Sequence, residues 1–579
     1  MNYTDEKHIL ILISLLKKHG IRKIVASPGT TNLTFVGSVQ CDPFFQVYSS
    51  VDERSACYMA CGLAEESGEP VVLSCTGATA SRNYVPGLTE AFYSKIPILA
   101  VTSMQYPGKI GHNMPQVIDR SIQMKDITLM SKEIRAIHSD IEEWDVTVSI
   151  NDALLELKHH GGGPVHLNVE TTYSRNYSVN ALPDVRKIER ICYDQIMPEI
   201  PKDSKTVIFV GAHKRWNTKQ IEAIDSFCEK YDATVLCDVT SNYFGKFRVN
   251  PHLLCSQLQY YSPIRNVDLL IHIGNITGSD INVNPKEVWR VNPDGVLRDT
   301  YGKLRYVFEM EEESFFEKYS SKVVSEQTLH NYHSIWGEEC REINNKIPEL
   351  PFSNAWLAQN TLDKIPNNST IYFSVLNTLR CWNYFYRHEP FTGYSNTGGF
   401  GIDGGLSTFI GSSLVNNNSL CFCVIGDLSF FYDMNVLGNR HIKSNIRILL
   451  VNNGRVTEFT NYNHPGYMFG EDAKPYIAAA GHFGNQSKSL VKHYSEDLGF
   501  RYLSARNKEE YLRCVDEFVN EKIVDRPILL EVFTNGEEES DAVKMLQHIL
   551  VSSSLAKKQS IMNVIGENNY NTIKKLLGR

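Results

Sequence analysis

The stretch Val424–Gly454 constrains the fold of this chain more than any other segment. An apolar run ends at Gly426-Asp427, apolar residues at helical spacing continue to Ile442, and a second apolar run ends at Asn452-Asn453. This order of strand, turn, helix and strand is typical of a βαβ unit, in which two parallel strands end at one edge of a sheet. Ligands of open α/β sheets bind at that edge, so we expect Asp427 and Asn453 to lie close together in a binding site.

Asp427 and Asn453 offer oxygen atoms that suit Mg²⁺. Asp427 carries a hard carboxylate oxygen and Asn453 an amide oxygen, and Mg²⁺ combines such ligands with phosphate oxygens and water. The helix that begins after Gly426 also presents free backbone N–H groups and the positive end of its dipole to a diphosphate. A βαβ unit with a chance Gly-Asp and a chance Asn-Asn is the alternative interpretation.

Length and composition limit the class of protein. The chain has 579 residues, which corresponds to roughly three or four domains. The net charge of −8 gives no reason to expect nucleic acid as a partner. No apolar run approaches the ~20 residues that span a bilayer, so no membrane segment is expected. The N-terminal segment lacks a basic region and a cleavage site, and the 13 cysteines lack CxxC pairs, which predicts a cytoplasmic protein with reduced thiols.

Alternating strand and helix patterns predict three α/β domains and a tail. The domains cover residues 1–182, 190–340 and 350–540, each built on a parallel sheet with helices on both faces, and a helical tail covers 541–579. The pattern predicts strands over 21–28, 45–51, 71–75, 96–102, 205–211, 233–238, 267–274 and 288–292, and helices over 56–68, 218–231 and 406–414.

Two further features receive structural interpretations. No GxGxxG follows a strand in residues 190–340, so FAD is not predicted there. His159-His160 precede three glycines, and we interpret them as a helix end with favourable cationic character and not as a metal-binding pair. For the tail, a peripheral helix pair is expected, with a cover over the active site or a contact with a partner subunit as alternatives.

A glutamate and a glycine-rich loop are the other candidate site features. Glu53 comes one step after a buried strand, where a carboxylate is partly removed from water; an acid favoured by a helix dipole is the alternative. The loop over residues 394–404 is rich in glycine, which implies close approach of the backbone to a ligand, with a flexible surface loop as the alternative. An apolar strand that ends at Ser374 precedes this loop.

Several runs together resemble the fingerprint of thiamine diphosphate (ThDP) enzymes, the acetolactate synthase and pyruvate decarboxylase superfamily. They are SPGTTN at 27–32, VDERSA at 51–56, TGATASRNYVPG at 76–87, SNTGGFGIDGGLST at 395–408, and GDLS at 426–429 followed by the Asn-Asn pair. The resemblance implies an α/β fold of three doubly wound parallel-sheet domains, which bind the pyrimidine, form the centre and bind the diphosphate. It also implies ThDP and Mg²⁺ as cofactors.

The resemblance also implies which residues bind the cofactors. Mg²⁺ would be held by Asp427, Asn453 and the backbone carbonyl of Arg455. Ile402 takes the place of the apolar wedge that bends ThDP. The cofactor-binding residues it implies are Pro28, Thr76, Asn83, Ser374, Ser395, Gly401, Ile402, Gly426, Asp427, Leu428, Ser429, Asn453 and Phe459.

The resemblance implies catalytic residues and a subunit arrangement as well. In this family the glutamate in the Glu53 position bonds to the aminopyrimidine ring and promotes the tautomer that deprotonates the thiazolium carbon. Gln116 takes the place of a glutamine near the cofactor of acetolactate synthase. Glu458 is a candidate proton donor and His112 a candidate proton shuttle, with a solvated helix start and a polar surface loop as alternatives. Each cofactor is shared between two subunits, which implies a homodimer or homotetramer with active sites at the subunit interface.

GDLS with YDMN most resembles the menaquinone-pathway synthases that make 2-succinyl-5-enolpyruvyl-6-hydroxy-3-cyclohexene-1-carboxylate (SEPHCHC). That family binds carboxylate-rich substrates through arginines. Here Thr31, Thr378 and Thr397 stand where arginines are expected, and TSMQYP replaces a TADRP-like segment. Because an arginine gives a charged, bidentate contact and a threonine one neutral hydrogen bond, these differences favour another acceptor.

The leading hypothesis is a ThDP- and Mg²⁺-dependent carboligase, similar to acetolactate synthase. It would decarboxylate a 2-oxo acid, with pyruvate as the preferred donor, and transfer the acyl-anion unit to a carbonyl acceptor. The alternatives are a SEPHCHC synthase and a non-ligating 2-oxo acid decarboxylase. A catalytically silent homologue is a further class, and the presence of Glu53, Asp427 and Asn453 argues against it.

Overall fold

The computed structural model describes residues 2–278, 281–321, 331–415, 418–482 and 486–551. By compactness the chain divides into two units, Met1–Ile196 with Asp294–Glu309, and Met197–Pro293 with Met310–Arg579. The boundaries of the three domains expected from the sequence stay a prediction. No helix in the described ranges has the length and apolar character needed to cross a membrane.

The strands alternate with helices through most of the chain. The strands are β1 Lys23–Ala26, β2 Gln46–Ser49, β3 Val71–Cys75, β4 Ile98–Met104, β5 Met130–Ile134, β6 Val165–Glu170, β7 Glu189–Cys192, β8 Thr206–Val210, β9 Thr234–Cys237, β10 Arg248–Val249, β11 Asn266–Ile273, β12 Asn284–Val291, β13 Leu304–Glu309, β14 Thr370–Phe373, β15 Thr392–Tyr394, β16 Cys421–Gly426, β17 Ile446–Asn452, β18 Arg501–Ala505 and β19 Ile528–Phe533.

The helices follow the same numbering along the chain. They are α1 Lys7–Lys18, α2 Leu33–Val39, α3 Glu53–Ser67, α4 Thr79–Asn83, α5 Val85–Tyr93, α6 Asp140–Glu156, α7 Thr218–Tyr231, α8 His252–Cys255, α9 Glu312–Ser321, α10 Tyr332–Asn344, α11 Asn354–Thr361, α12 Asn377–Asn383, α13 Gly405–Ser413, α14 Asp427–Asp433, α15 Ala473–Tyr476, α16 Leu490–Asp497, α17 Lys508–Phe518 and α18 Gly536–Gln547.

The first unit contains a six-stranded parallel sheet in the order β2-β1-β3-β4-β6-β5. Successive residues of a strand point to opposite faces, and the two faces join different apolar cores. Ile24 belongs to the core that contains α1 and α6, whereas Val25 belongs to the core that contains α3 and α5. The sheet is therefore covered by helices on both sides. The parallel pair β7 and β13 also belongs to this unit and aligns Cys192 with Glu309.

The second unit contains two parallel sheets. One has the order β10-β9-β8-β11-β12 and the other the order β15-β14-β16-β17-β19-β18. In the latter, β14, β16 and β17 are neighbours, with Phe373 paired to Val424 and Gly426 paired to Val451. Ser374, Asp427 and Asn453, which follow these three strands, therefore leave the sheet at the same edge.

The α/β fold with parallel sheets predicted from the sequence is confirmed, and single elements differ from expectation. The helix expected to continue to Ile442 ends at Asp433, and a 3-10 turn over Met434–Gly438 follows it. Gly438 and Asn439 interrupt the helical backbone before Ile442, although Ile442 still packs against the same core. The helix expected from residue 56 begins three residues earlier at Glu53, because Asp52 caps it.

The predicted tail overlaps α18, which begins before residue 541. Val543 and Leu546 of this helix are buried, as their helical spacing predicts. The remainder of the predicted tail, residues 552–579, lies outside the described residues.

Candidate active site

A cleft lies where β14, β16 and β17 end side by side in the second unit. It brings together Ser374, Ile402, Gly426, Asp427, Leu428, Ser429, Asn453, Arg455 and Glu458, all of which the sequence singled out. Its other lining residues are Asn354, Val375, Leu376, Asn377, Thr378, Val451, Val456 and Thr457.

Asp427 is the buried carboxylate of this cleft. It is the first residue of α14, directly after β16, and is only 7% exposed. Its Oδ1 accepts the Leu428 N–H at 2.7 Å, and its Oδ2 accepts the Gly454 N–H at 2.7 Å. Burial raises the pKa of Asp427 to about 6, although these backbone hydrogen bonds act in the opposite direction. A bound cation would offset the cost of burying this charge.

Asn453 and Arg455 lie beside Asp427 on the turn after β17. The Asn453 Oδ1 accepts the Arg455 N–H at 3.4 Å. The Arg455 guanidinium lies against Gly536 at the start of α18, where any β-carbon would overlap it. The Asp427 carboxylate at the start of α14, and the amide oxygen and backbone carbonyl on the turn after β17, are the kinds of oxygen ligand that Mg²⁺ binds. The donor set therefore fits the predicted cation.

Hydroxyl groups and an apolar side chain complete the cleft near Asp427. Ser374 follows β14, and its hydroxyl donates to the Ser429 Oγ at 3.2 Å. Both serines are buried, and Ile402 from the glycine-rich loop lines the same cleft. These groups suit a ligand with a polar, phosphate-bearing end and an apolar ring.

Three predicted cofactor residues of the second unit do not line the cleft. Among the described lining residues, Ser395, Gly401 and Phe459 are missing. The buried Ser395 hydroxyl has no hydrogen-bond partner among the described residues, which leaves it able to bind a ligand atom. The Phe459 ring packs against His464, with 5.3 Å between the ring centroids.

Glu458 also lines the cleft, in the 3-10 turn Thr457–Thr460, and is 9% exposed. Its Oε1 forms an ion pair with Arg380 of α12. Its Oε2 is buried without a hydrogen-bond partner among the described residues. Glu458 is therefore not a solvated helix start, and one of its oxygens remains able to bind substrate.

A fully buried glutamate behind the cleft was not identified from the sequence. Glu539 of α18 accepts the Asn354 N–H at 3.0 Å and the Thr534 hydroxyl at 2.6 Å. The Asn354 side chain donates to the Thr378 Oγ1 at 3.1 Å, and both of these residues line the cleft. Burial raises the pKa of Glu539 to about 7. Glu539 stands third in a run of acids at a helix start, where exposure is the usual outcome, so the sequence carries no signal of its burial.

Glu53 lies in the first unit, at the first position of α3. Asp52 caps this helix by accepting the N–H groups of Arg54 at 3.3 Å and Ser55 at 3.4 Å. Glu53 is partly exposed, and its Oε2 accepts a hydrogen bond of 3.3 Å from the exposed Asn83. Two of the predicted site residues, Glu53 and Asn83, are thus in contact.

Thr76 and Pro28 lie on neighbouring turns of the first unit. The hydroxyls of Thr31 and Thr76 are 2.5 Å apart, and Thr31 Oγ1 also accepts the Gly77 N–H at 3.1 Å. Thr31 is 2% exposed, whereas Pro28 is exposed. The threonine at the expected arginine position therefore binds the adjacent turn.

Gln116 and His112 lie in the long segment between β4 and β5, and both are exposed. Gln116 adopts a φ of 60°, which is uncommon for a residue other than glycine. Among the described residues, no hydrogen bond joins either side chain to Glu53. The structure thus leaves their catalytic roles as predictions.

Known proteins resemble this chain along nearly its whole length. Residues 10–124 match the family described as thiamine pyrophosphate enzyme, N-terminal TPP binding domain. A SEPHCHC synthase from Bacteroides fragilis is 30% identical over 95% of this chain and 100% of its own length. A SEPHCHC synthase from Phocaeicola vulgatus is 30% identical over 94% of this chain and 99% of its own length.

One solved structure aligns with most of this chain. The thiamine diphosphate-dependent 4-hydroxybenzoylformate decarboxylase of Rhodococcus jostii RHA1 is 18% identical, with a TM-score of 0.38 over 91% of this chain and 99% of its own.

Proposed function

Because the chain belongs to the family of ThDP-dependent enzymes that includes the SEPHCHC synthases, we propose that it decarboxylates a 2-oxo acid and joins the remaining unit to an acceptor. ThDP is the cofactor of this family, and when bound it supplies the nucleophilic thiazolium carbon for this chemistry. The observation that carries the proposal is the cleft at the strand ends, where Asp427 and Asn453 lie side by side.

The residues of the cleft receive the following roles. Asp427, Asn453 and the Arg455 carbonyl hold Mg²⁺, and Ser374 and Ser429 bind the polar end of the cofactor. Ile402 supports its rings. Glu53 exchanges a proton with the aminopyrimidine ring, and Asn83 orients the Glu53 carboxylate through the 3.3 Å hydrogen bond.

Among the substrates, we place first those of the SEPHCHC synthases, 2-oxoglutarate as donor and isochorismate as acceptor. The similarity over the full length to proteins of that name supports this choice. Arg455 is the only cationic side chain among the described lining residues of the cleft. It therefore stands where a substrate carboxylate could receive a charge-assisted hydrogen bond.

Pyruvate as donor with a carbonyl acceptor is the second candidate, and specific contacts favour it. The hydroxyls of Thr31 and Thr378 are engaged by protein groups and offer no charge, and Thr397 is only 5% exposed. Arg380, which lies near the expected arginine position, is neutralised by Glu458. A smaller donor with one carboxylate would require fewer cations than 2-oxoglutarate.

A side-by-side assay separates these candidates. The full chain is incubated with ThDP, Mg²⁺ and either 2-oxoglutarate with isochorismate or pyruvate with carbonyl acceptors, and CO₂ and new C–C products are measured by mass spectrometry. Efficient formation of SEPHCHC supports the first candidate. A ligated product that forms only in the reaction with pyruvate and a carbonyl acceptor supports the second. Release of CO₂ without any ligated product would contradict both and indicate a simple decarboxylase.

We also propose that the functional form contains at least two copies of the chain. Large apolar side chains near Glu53 are exposed in the single chain, with Val51 78%, Tyr58 48% and Met59 40% exposed. A surface of this kind is typical of a protein–protein interface. Analytical ultracentrifugation that finds only monomers at assay concentrations would contradict this proposal.

A further inference from the structure

In contrast to the interpretation of His159-His160 from the sequence, we propose that the first unit contains a structural zinc site formed by His159, His160, Glu309 and Cys192. His159 and His160 come from the turn after α6, Cys192 ends β7 and Glu309 ends β13. Two imidazoles, a carboxylate and a thiolate are a ligand set that Zn²⁺ accepts in tetrahedral sites. The inference does not depend on the substrates of the ThDP site.

The ligand atoms of the two histidines and Glu309 already converge, and the Cys192 thiol approaches Glu309. The Nε2 atoms of His159 and His160 lie 3.0 and 2.9 Å from the two oxygens of Glu309. The Cys192 Sγ lies 3.9 Å from the Glu309 Oε2, because the parallel register aligns the ends of β7 and β13. The candidate ligand atoms of the two histidines and Glu309 all lie within 4.8 Å of one another. Binding of Zn²⁺ would draw these three ligand atoms and the Cys192 Sγ to the about 2.0–2.3 Å that the metal requires.

Glu156 is not one of the proposed ligands, but it contacts the ring nitrogen of His159 that faces away from the metal. Its Oε2 lies 3.0 Å from the His159 Nδ1. A proton on Nδ1 leaves the Nε2 lone pair directed at the proposed metal, which is the arrangement that orients metal-binding histidines in proteins. Arg190 approaches Glu156 at 3.5 Å, and Cys192 gives up its proton when it binds the metal. With two carboxylates, one thiolate and one guanidinium, Zn²⁺ makes the cluster neutral.

The backbone leaves room for this cluster. Gly295 adopts a φ of +61°, and a β-carbon there would lie 2.8 Å from the Glu309 Oε2. The side chains of His159 and Glu309 are 11% and 13% exposed, whereas that of His160 is 75% exposed. The buried ligands are thus held in place, and His160 gives the metal a route from solvent.

Cobalt substitution tests the site directly. The full chain is saturated with ThDP and Mg²⁺, so that the Asp427 cleft is filled, and Co²⁺ and then Zn²⁺ are titrated. Wild type should show the absorption bands of tetrahedral Co²⁺ together with a thiolate charge-transfer band, and Zn²⁺ should displace one equivalent. Absence of tetrahedral bands in the wild type would overturn the proposal.

Variants assign the ligands. His160→Ala changes an exposed residue and should remove the tetrahedral spectrum without unfolding the chain. Cys192→Ser should remove the charge-transfer band, and Glu156→Gln should weaken Zn²⁺ binding about 10- to 100-fold, as expected for an outer contact. His138→Ala removes another exposed histidine and is the matched control, which should behave as wild type. If all four variants, the control included, showed the Co²⁺ spectrum and the Zn²⁺ affinity of the wild type, the ligand assignment would be overturned.

Discussion

The two carboxylates assigned to the ThDP site, Asp427 and Glu53, are held in opposite ways. Asp427 is 7% exposed, and backbone N–H groups bond to both of its oxygens. Glu53 is partly exposed, and its described hydrogen bond comes from the exposed side chain of Asn83. The second unit thus holds the proposed cation ligand rigidly with its own backbone, whereas the first unit leaves the proposed proton-exchanging carboxylate open.

This difference has a physical reason. A cation site needs several oxygen atoms at fixed positions, and neighbouring parallel strands supply them within one sheet. A glutamate that exchanges a proton with a ring needs a dry environment only when the ring is present. A second copy of the chain that covers the Glu53 surface would provide that environment.

The largest effect is expected at the buried carboxylate. Asp427→Ala should abolish binding of ThDP, because the diphosphate loses the cation that joins it to the protein. Calorimetry of ThDP binding with Mg²⁺ measures this, and Asp497→Ala, which removes an exposed acid of the same unit, is the control. Unchanged ThDP affinity in Asp427→Ala would refute the cation assignment.

Substitution of Glu53, the partly exposed carboxylate, should impair activation of ThDP without impairing its binding. Glu53→Gln should still bind ThDP, but exchange of the thiazolium proton should slow by roughly 10²–10⁴-fold, because an amide cannot exchange the proton. Exchange with deuterium followed by NMR measures this rate. Glu66→Gln changes an exposed acid of the same helix and should behave as wild type. A wild-type exchange rate in Glu53→Gln would show that another group activates the cofactor.

A smaller effect is expected at the cationic wall of the cleft. Arg455→Ala should raise KM for the 2-oxo acid about 10- to 100-fold. This increase is expected because the substrate loses a charge-assisted hydrogen bond, which contributes about 1.5–3 kcal/mol. Arg455→Lys should recover part of this loss because it keeps the charge without the bidentate geometry. Steady-state kinetics with the exposed Arg440→Ala as control tests this. If KM stays constant, the substrate carboxylate binds elsewhere.

The smallest effect on activity is expected for substitution of Glu539. This substitution should instead alter the pH dependence of the free energy of unfolding. Burial raises the pKa of Glu539 from 4.5 to about 7, so its contribution to stability is complete below about pH 4.5 and is lost as the pH rises to about 7. The loss is at most about 3 kcal/mol for this shift. Between pH 5 and pH 8, the free energy of unfolding should therefore fall less in Glu539→Gln than in the wild type. Urea titrations at several pH values measure this difference. An unchanged pH dependence would show that Glu539 is ionised without cost.

The sequence predicts that Asp427 and Asn453 lie together at the strand ends, and both line the same cleft. Strand periodicity and turn residues fix the ends of β16 and β17, and parallel pairing then requires Asp427 and Asn453 to be neighbours. The helix start at Asp52 could be recognised by its capping residue, although the prediction placed the helix three residues later.

The sequence does not predict contacts between distant segments. Glu539 is buried against Asn354, 185 residues away, and Glu309 meets His159, 150 residues away. The run of acids at the start of α18 indicates solvent exposure for Glu539, and only tertiary packing reverses this. The choice of donor and acceptor substrates also depends on the positions of side chains around the cleft. The hydrophobic periodicity of the sequence does not encode these positions.

We propose that each site combines Asp427 of one chain with Glu53 of a second copy. Asp427→Ala and Glu53→Gln chains with different affinity tags are coexpressed, and the mixed dimer is isolated by both tags. If each site combines Asp427 of one chain with Glu53 of the other, one of the two sites is intact, and about half of the wild-type activity should return. A mixed dimer no more active than the Glu53→Gln homodimer would contradict the claim.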